Sequence, residues 1–205
     1  MSALTGAQLG LMTGSFLSGC LLSIPLLSIP TITSPSSSPT APILLSSWCT
    51  LYRIGALSMP PLAALTASLY GWSAYKLRSS SSSSSSTPPA RSDTSPRSPR
   101  SERPASNENR WKLFVTAAGL TLAIVPFTLI VMLPLNRQLV RLNEIQIEPG
   151  PLVSNLQEVR ELVRRWNWLH IVRSLGPVVG CVVGWFGVFG GGYEEGEEKV
   201  EVEKA

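Results

Sequence analysis

Residues 1–52 contain no Asp, Glu, Lys or Arg at all. A soluble domain keeps charges on its surface, about 25% of its residues on average, whereas this whole chain carries 15%. The charge-poor sequence falls into four apolar stretches: residues 8–32, 54–75, 113–135 and 168–189, the last with Arg173 embedded near its start. Each reaches the roughly 20 mostly apolar residues that cross a bilayer. Backbone polar groups in lipid need partners within the protein, so such stretches form helices or closed barrels. Their lengths are about twice those of barrel strands, and strict alternation is absent. The expected fold is all-α: a multi-pass, four-transmembrane-helix bundle surrounded by lipid.

Several functional classes drop out. Three cysteines (Cys20, Cys49, Cys181) and one histidine (His170) make no disulfide framework, no CxxC pair and no metal-ligand cluster. No glycine-rich phosphate loop or dinucleotide fingerprint is present. The net charge of +4 sits in loops between apolar runs, with no nucleic-acid-binding module around it. Leu17-Ser-Gly-Cys20 looks like a lipoprotein box, but no basic residues precede it. The first span is therefore read as a retained helix, with Cys20 a small interior residue.

The chain divides into residues 1–78 with the first two spans, a Ser/Pro/Arg-rich insert at 79–110, residues 111–190 with the last two spans, and an acidic tail at 191–205. Insert and tail have too little apolar content to repay ordering entropy, so both are expected to be disordered. The loop 76–112 carries eight Lys/Arg, against one in the first loop and five in the third. Under the positive-inside rule, that loop and both termini face the cytoplasm. Within the first span, Leu21-Leu-Ser-Ile-Pro25 is repeated as Leu26-Leu-Ser-Ile-Pro30. Each proline removes an amide and predicts a kink or an early end. Pro126 predicts a kink in the third span, with Thr128 able to bond freed carbonyls.

The first and third loops lie on one face of the membrane and collect the chemically capable groups. Trp48, Tyr52 and Arg53 end the first loop, and Asn136 closes the third span. Trp166, His170, Arg173 and Pro177 follow at helical spacing and share one stripe. Two readings of that stripe stand side by side. Interior polar residues in a span normally face the bundle, yet terminal Trp, Tyr and Arg also form interfacial belts and snorkel to headgroups. Taken singly, Trp48, Trp72, Trp111 and Trp168 read as belt residues. Gly176, Gly180 and Gly184, at four-residue spacing, allow close helix approach. Packing inside the bundle is the preferred reading, a homodimer seam the other.

In order, Phe16-Leu-Ser-Gly19, Trp48-Cys-Thr-Leu-Tyr52, Val125-Pro-Phe-Thr128 with Met132-Leu-Pro-Leu-Asn136, and Trp166-Asn-Trp-Leu-His-Ile-Val-Arg173 make a pattern. It resembles the small integral-membrane anthrone oxygenases of fungal polyketide pathways, over about residues 10–185. The resemblance implies oxidation of an anthrone, or a related polycyclic aromatic, to a quinone with O2 as co-substrate and no flavin, haem or metal. An internal membrane such as the endoplasmic reticulum is then the expected location. His170 is the natural base, its ordinary pKa lying near 6.5. Arg173 and Asn136 would hold the oxyanion. Trp166, Tyr52, Trp48 and Thr128 would line the substrate site, the aromatic rings stacking on a flat ligand. The competing expectation is a non-catalytic four-helix scaffold in which the same polar residues are structural.

Overall fold

The computed structural model describes residues 1–34, 36, 40–82, 110–147 and 155–190. The expected disorder of the insert and of the acidic tail falls outside these residues, apart from the ends noted below. Among the described residues all regular structure is helical and forms four rods.

Rod α1, Ala3–Thr33, starts at Ser2, whose Oγ accepts from the Thr5 amide at 3.0 Å. The repeated prolines do not end it. The helix widens into a π turn over Ile24–Ser28 and resumes at Ile29–Thr33. A wider turn accommodates the proline ring without breaking the rod. Cys20, expected in the interior, is only half-buried.

Rod α2, Ala41–Ser82, is one helix of 42 residues, about 60 Å at roughly 1.5 Å per residue. Pro42 sits in its first turn, where a missing amide costs nothing. Trp48, Tyr52 and Arg53 therefore lie on a helix and not in a loop as expected. Nothing between Pro42 and Pro60 interrupts a helix once it has begun. At the other end the rod runs into the serine tract, where Ser79 and Ser80 hydroxyls bond the Lys76 carbonyl at 3.1 and 2.9 Å.

Rod α3, Arg110–Gln146, is irregular where Pro126 predicts it. A turn at Ala123, a short helix Ile124–Phe127 and a π turn Thr128–Met132 precede the resumption at Leu133. Thr128 Oγ1 donates to the Ile124 carbonyl at 2.7 Å, as the kink reading anticipates. Rod α4, Leu156–Phe189, is capped by Asn155, whose Oδ1 accepts from the Gln157 amide at 3.1 Å. Both helices extend beyond the expected spans, so Arg137, Arg141, Arg160, Arg164 and Arg165 are helical residues.

The rods run up-down-up-down: α1 lies against α2 and α4, and α3 against the same two. Three of them, α1, α3 and α4, are long and apolar enough to cross a membrane. The second expected span, in α2, falls short on apolarity because Pro60, Pro61 and several Ser, Thr and Tyr residues interrupt it. It nevertheless packs along both α1 and α3. Leu57 and Ile130 are 81% and 74% exposed, as suits helices whose outer surface meets acyl chains. The chain is a membrane protein.

Gly176, Gly180 and Gly184 face the interior, in keeping with the packing reading. A Cβ at Gly176 would lie 2.8 Å from the Leu120 carbonyl oxygen, and one at Gly184 would lie 2.6 Å from the Tyr70 hydroxyl. One apolar cluster at that end gathers Tyr70, Phe114 and Val188; the cluster at the opposite end contains Trp48, Met132, Leu139 and Trp166.

Candidate active site

The polar residues converge in the half of the bundle where α1 turns into its π segment. Of the predicted stripe, Trp166, His170 and Pro177 are buried on one face of α4 and Arg173 is half-buried beside them, so the stripe points inward. Trp168, two residues on from Trp166 and so on the opposite side of the helix, is 64% exposed. Trp72 is likewise exposed, consistent with a belt position. Trp48 is not: it is fully buried, stacked on Tyr52 at 5.2 Å and edge-on to Trp166 at 5.5 Å. Its belt reading fails because its helix starts earlier than expected and carries it into the core.

A cavity of ≈220 Å³ lies between all four rods. Its polar end is formed by Tyr52, Thr128, Asn136, Trp166, His170 and Arg173. These six of the seven nominated residues line it directly. Trp48 does not; it backs the Tyr52 and Trp166 rings from behind. The remaining wall is apolar: Leu21 and Ile24 from α1, Gly55, Ala56, Met59 and Pro60 from α2, and Ile124, Val125, Leu129 and Met132 from α3. Val125 and Leu129 are also exposed on the outside, as are Ala56 and Pro60 across the gap. The cavity therefore opens sideways between α2 and α3, toward lipid, where the prolines of both helices disturb their packing.

Hydrogen bonds fix the chemistry of the polar end. Trp166 Nε1 lies 2.7 Å from Asn136 Oδ1. An indole N–H can only donate, so the amide oxygen must face it and the Asn136 NH2 turns the other way. That NH2 has no partner among the described residues, which leaves it as a donor at the cavity wall.

His170 is 1% exposed, and its ring lies 4.7 Å from that of Trp166. Its Nε2 is 3.2 Å from the Leu21 carbonyl oxygen, an acceptor, and its Nδ1 is 3.0 Å from Arg173 Nη2, a donor. The same Nη2 lies 3.5 Å from Nε2, the outer limit of a bond. Only the neutral ring with hydrogen on Nε2 satisfies both neighbours. Lying within 3.5 Å of both ring nitrogens, that Nη2 sits over the imidazole face beside Nδ1 and not in line with its lone pair. Ser174 holds the His170 carbonyl at 2.7 Å and steadies the turn.

Arg173 also donates through Nη1 to Thr128 Oγ1 at 3.3 Å, tying α4 to the π turn of α3. Its Nε is buried and has no partner. Among the described residues no carboxylate pairs with this guanidinium. Nor do three or more His, Cys, Asp or Glu side chains come together among them. The cavity thus has an apolar, aromatic body and an end rich in donors: the Asn136 NH2, the Arg173 guanidinium and the Tyr52 hydroxyl. Such an end suits a flat aromatic with a negatively charged oxygen.

The anthrone oxygenase family model matches residues 48–183, about two thirds of the chain and every nominated site residue. The chain belongs to the anthrone oxygenase family. Anthrone oxygenase AgnL2 of Paecilomyces divaricatus is 29% identical over 91% of this chain and 97% of its own length. Anthrone oxygenase tpcL of Aspergillus fumigatus is 34% identical, covering 85% of this chain and 87% of its own. Monooxygenase hypC of Dothistroma septosporum is 32% identical over 85% of this chain and 77% of its own. No solved structure matches. An oxidoreductase is what these relatives support. The family match begins at Trp48, so α1 lies outside it, yet α1 supplies the carbonyl that holds His170. The resemblance could not point to the Leu21 carbonyl, because a backbone atom has no motif. The signal available was Pro25, four residues on, which has no amide to offer that carbonyl.

Proposed function

We propose that this chain is an integral-membrane oxygenase that converts an anthrone, or a closely related polycyclic aromatic, to the quinone with O2 and no resident cofactor. The observation that carries the reading is a buried guanidinium without a carboxylate, its Nε unpaired, at the polar end of a lipid-facing aromatic cavity. An unpaired buried charge is costly, and a ligand oxyanion would offset that cost.

The chemistry follows from the substrate. An anthrone methylene is acidified by the carbonyl across the central ring. Loss of one proton places negative charge on that oxygen, where Arg173 and the Asn136 NH2 stabilise it. His170 Nδ1, the ring nitrogen without hydrogen, accepts the methylene proton beside the guanidinium. The electron-rich carbanion then reduces O2. One oxygen atom becomes the new carbonyl and the other leaves as water. The substrate's methylene supplies both hydrogens and all the electrons, so no external reductant is needed. Trp166 and Tyr52 stack on the rings, with Trp48 behind them. The sideways opening admits an apolar substrate from the bilayer. Residues 76–112 and both termini face the cytoplasm in this reading, and the membrane is an internal one such as the endoplasmic reticulum.

The test is O2 uptake with anthrone by purified protein in lipid vesicles, measured against protein-free vesicles because anthrones oxidise slowly in air. Turnover above that background that persists in a chelator supports the reading. A rate equal to the background, in protein shown to be folded, leaves the non-catalytic membrane scaffold as the better account.

A further inference from the structure

The prolines of the repeated pentapeptide take no part in the reaction just described, and nothing in α1 falls within the family match. In a regular helix the Leu21 carbonyl would accept from the amide of residue 25. Residue 25 is proline and has no amide to offer. His170 Nε2 lies 3.2 Å from that same oxygen. On the other side of the ring, Nδ1 lies 3.0 Å from Arg173 Nη2, whose Nη1 reaches Thr128.

We infer that Pro25 is a positioning residue: by withholding an amide from the Leu21 carbonyl it fixes His170 in its Nε2–H form and leaves Nδ1, beside Arg173, as the nitrogen of the ring that can accept. The inference deepens the function proposed above and rests on it for its catalytic meaning. A neutral imidazole carries one hydrogen, and the atom without it does the accepting. With an alanine amide at residue 25, the carbonyl would regain a partner within its own helix. His170 would then share its acceptor and populate the other tautomer, placing a hydrogen on Nδ1 against the guanidinium. Both Nδ1 as proton acceptor and the orientation of Arg173 would suffer together. The second copy of the motif supplies the control. Pro30 likewise withholds an amide, from the carbonyl of Leu26, but no residue of the site approaches that oxygen.

The experiment uses the full chain labelled with 15N-histidine in lipid bilayers, wild type beside Pro25→Ala and Pro30→Ala. Because the chain has one histidine, every ring signal belongs to His170. The inference predicts a protonated-type Nε2 and an unprotonated-type Nδ1 in wild type and Pro30→Ala, and a mixture of tautomers in Pro25→Ala. Anthrone turnover should fall about tenfold or more in kcat for Pro25→Ala, with KM little changed. A wild-type spectrum with hydrogen on Nδ1 overturns the inference without any variant. So do an unaltered spectrum in Pro25→Ala, and an equal change in Pro30→Ala, which would make the effect one of helix stiffness. If the spectra follow the prediction but wild-type protein turns over no anthrone, the proposed reaction fails and the positioning role of Pro25 stands.

Discussion

At the scale of single residues, the site works through a division of hydrogen-bonding labour. Asn136 is turned by an indole that can only donate, and His170 by a carbonyl that can only accept. Trp166→Phe keeps the ring but removes the N–H, so the Asn136 amide can flip. We expect kcat/KM for anthrone to fall roughly tenfold with a modest loss of stability, about 1–3 kcal/mol. Steady-state kinetics beside thermal unfolding in detergent separate the two effects; unchanged kinetics would mean that the Asn136 NH2 does not touch the reaction. His170→Ala should lower kcat by about 10²–10⁴-fold, the usual range for a general base. A variant with full activity removes His170 from the chemistry. Sequence alone marked Asn136, His170 and Arg173, because polar side chains in apolar helices are expensive and few. It did not reveal that Arg173 lies against the His170 ring, since that depends on a 3.0 Å contact between rotamers.

At the scale of elements, prolines and glycines set the shape. Prolines bend α1 and α3 into π turns that face the cavity, and small residues let α4 close against α3 and α2. Gly176→Ala would push a methyl against the Leu120 carbonyl, a backbone atom that cannot move aside cheaply. It should cost about 1–3 kcal/mol, whereas Gly119→Ala, whose Cβ meets nothing within 4 Å, should be silent or slightly stabilising. Equal melting temperatures for the two variants would remove the glycine seam from the account. Gly55 lies in the cavity wall with open space where a Cβ would sit. Gly55→Phe should therefore fold normally and lower kcat/KM for anthrone about tenfold, or by ~1.4 kcal/mol, by filling the opening between α2 and α3. Undiminished kinetics would send the substrate in by another route. The existence of the helices was legible from apolar run length, and the kinks from proline. Their ends were not. Arginines read as loop residues continue α3 and α4, because a helix can leave the membrane without stopping, and polarity alone does not mark its end.

At the scale of the whole molecule, an all-helical bundle with lipid-facing sides holds one donor-rich end inside. That architecture was readable from the charge-free opening of the chain and the apolar runs that follow. Apolarity placed α2 less firmly than its neighbours, because its prolines and hydroxyl residues dilute a rod that packing holds in place. The proposed orientation makes a further prediction at this scale. A tag after Ala205 should be digested by protease added to sealed microsomes with their cytoplasmic face outward, and protection of that tag would invert the topology.

The central claim is that this bundle draws an anthrone from lipid and lets its own carbanion reduce O2 beside Arg173 and His170. It is tested most directly with 18O2, supplied to vesicles holding wild-type protein or Arg173→Ala, with the quinone trapped and weighed by mass spectrometry. Wild type should rapidly form quinone bearing a single 18O atom, the other appearing in water, and Arg173→Ala should run near the protein-free background. Unlabelled quinone, or equal rates for the two proteins, would contradict it.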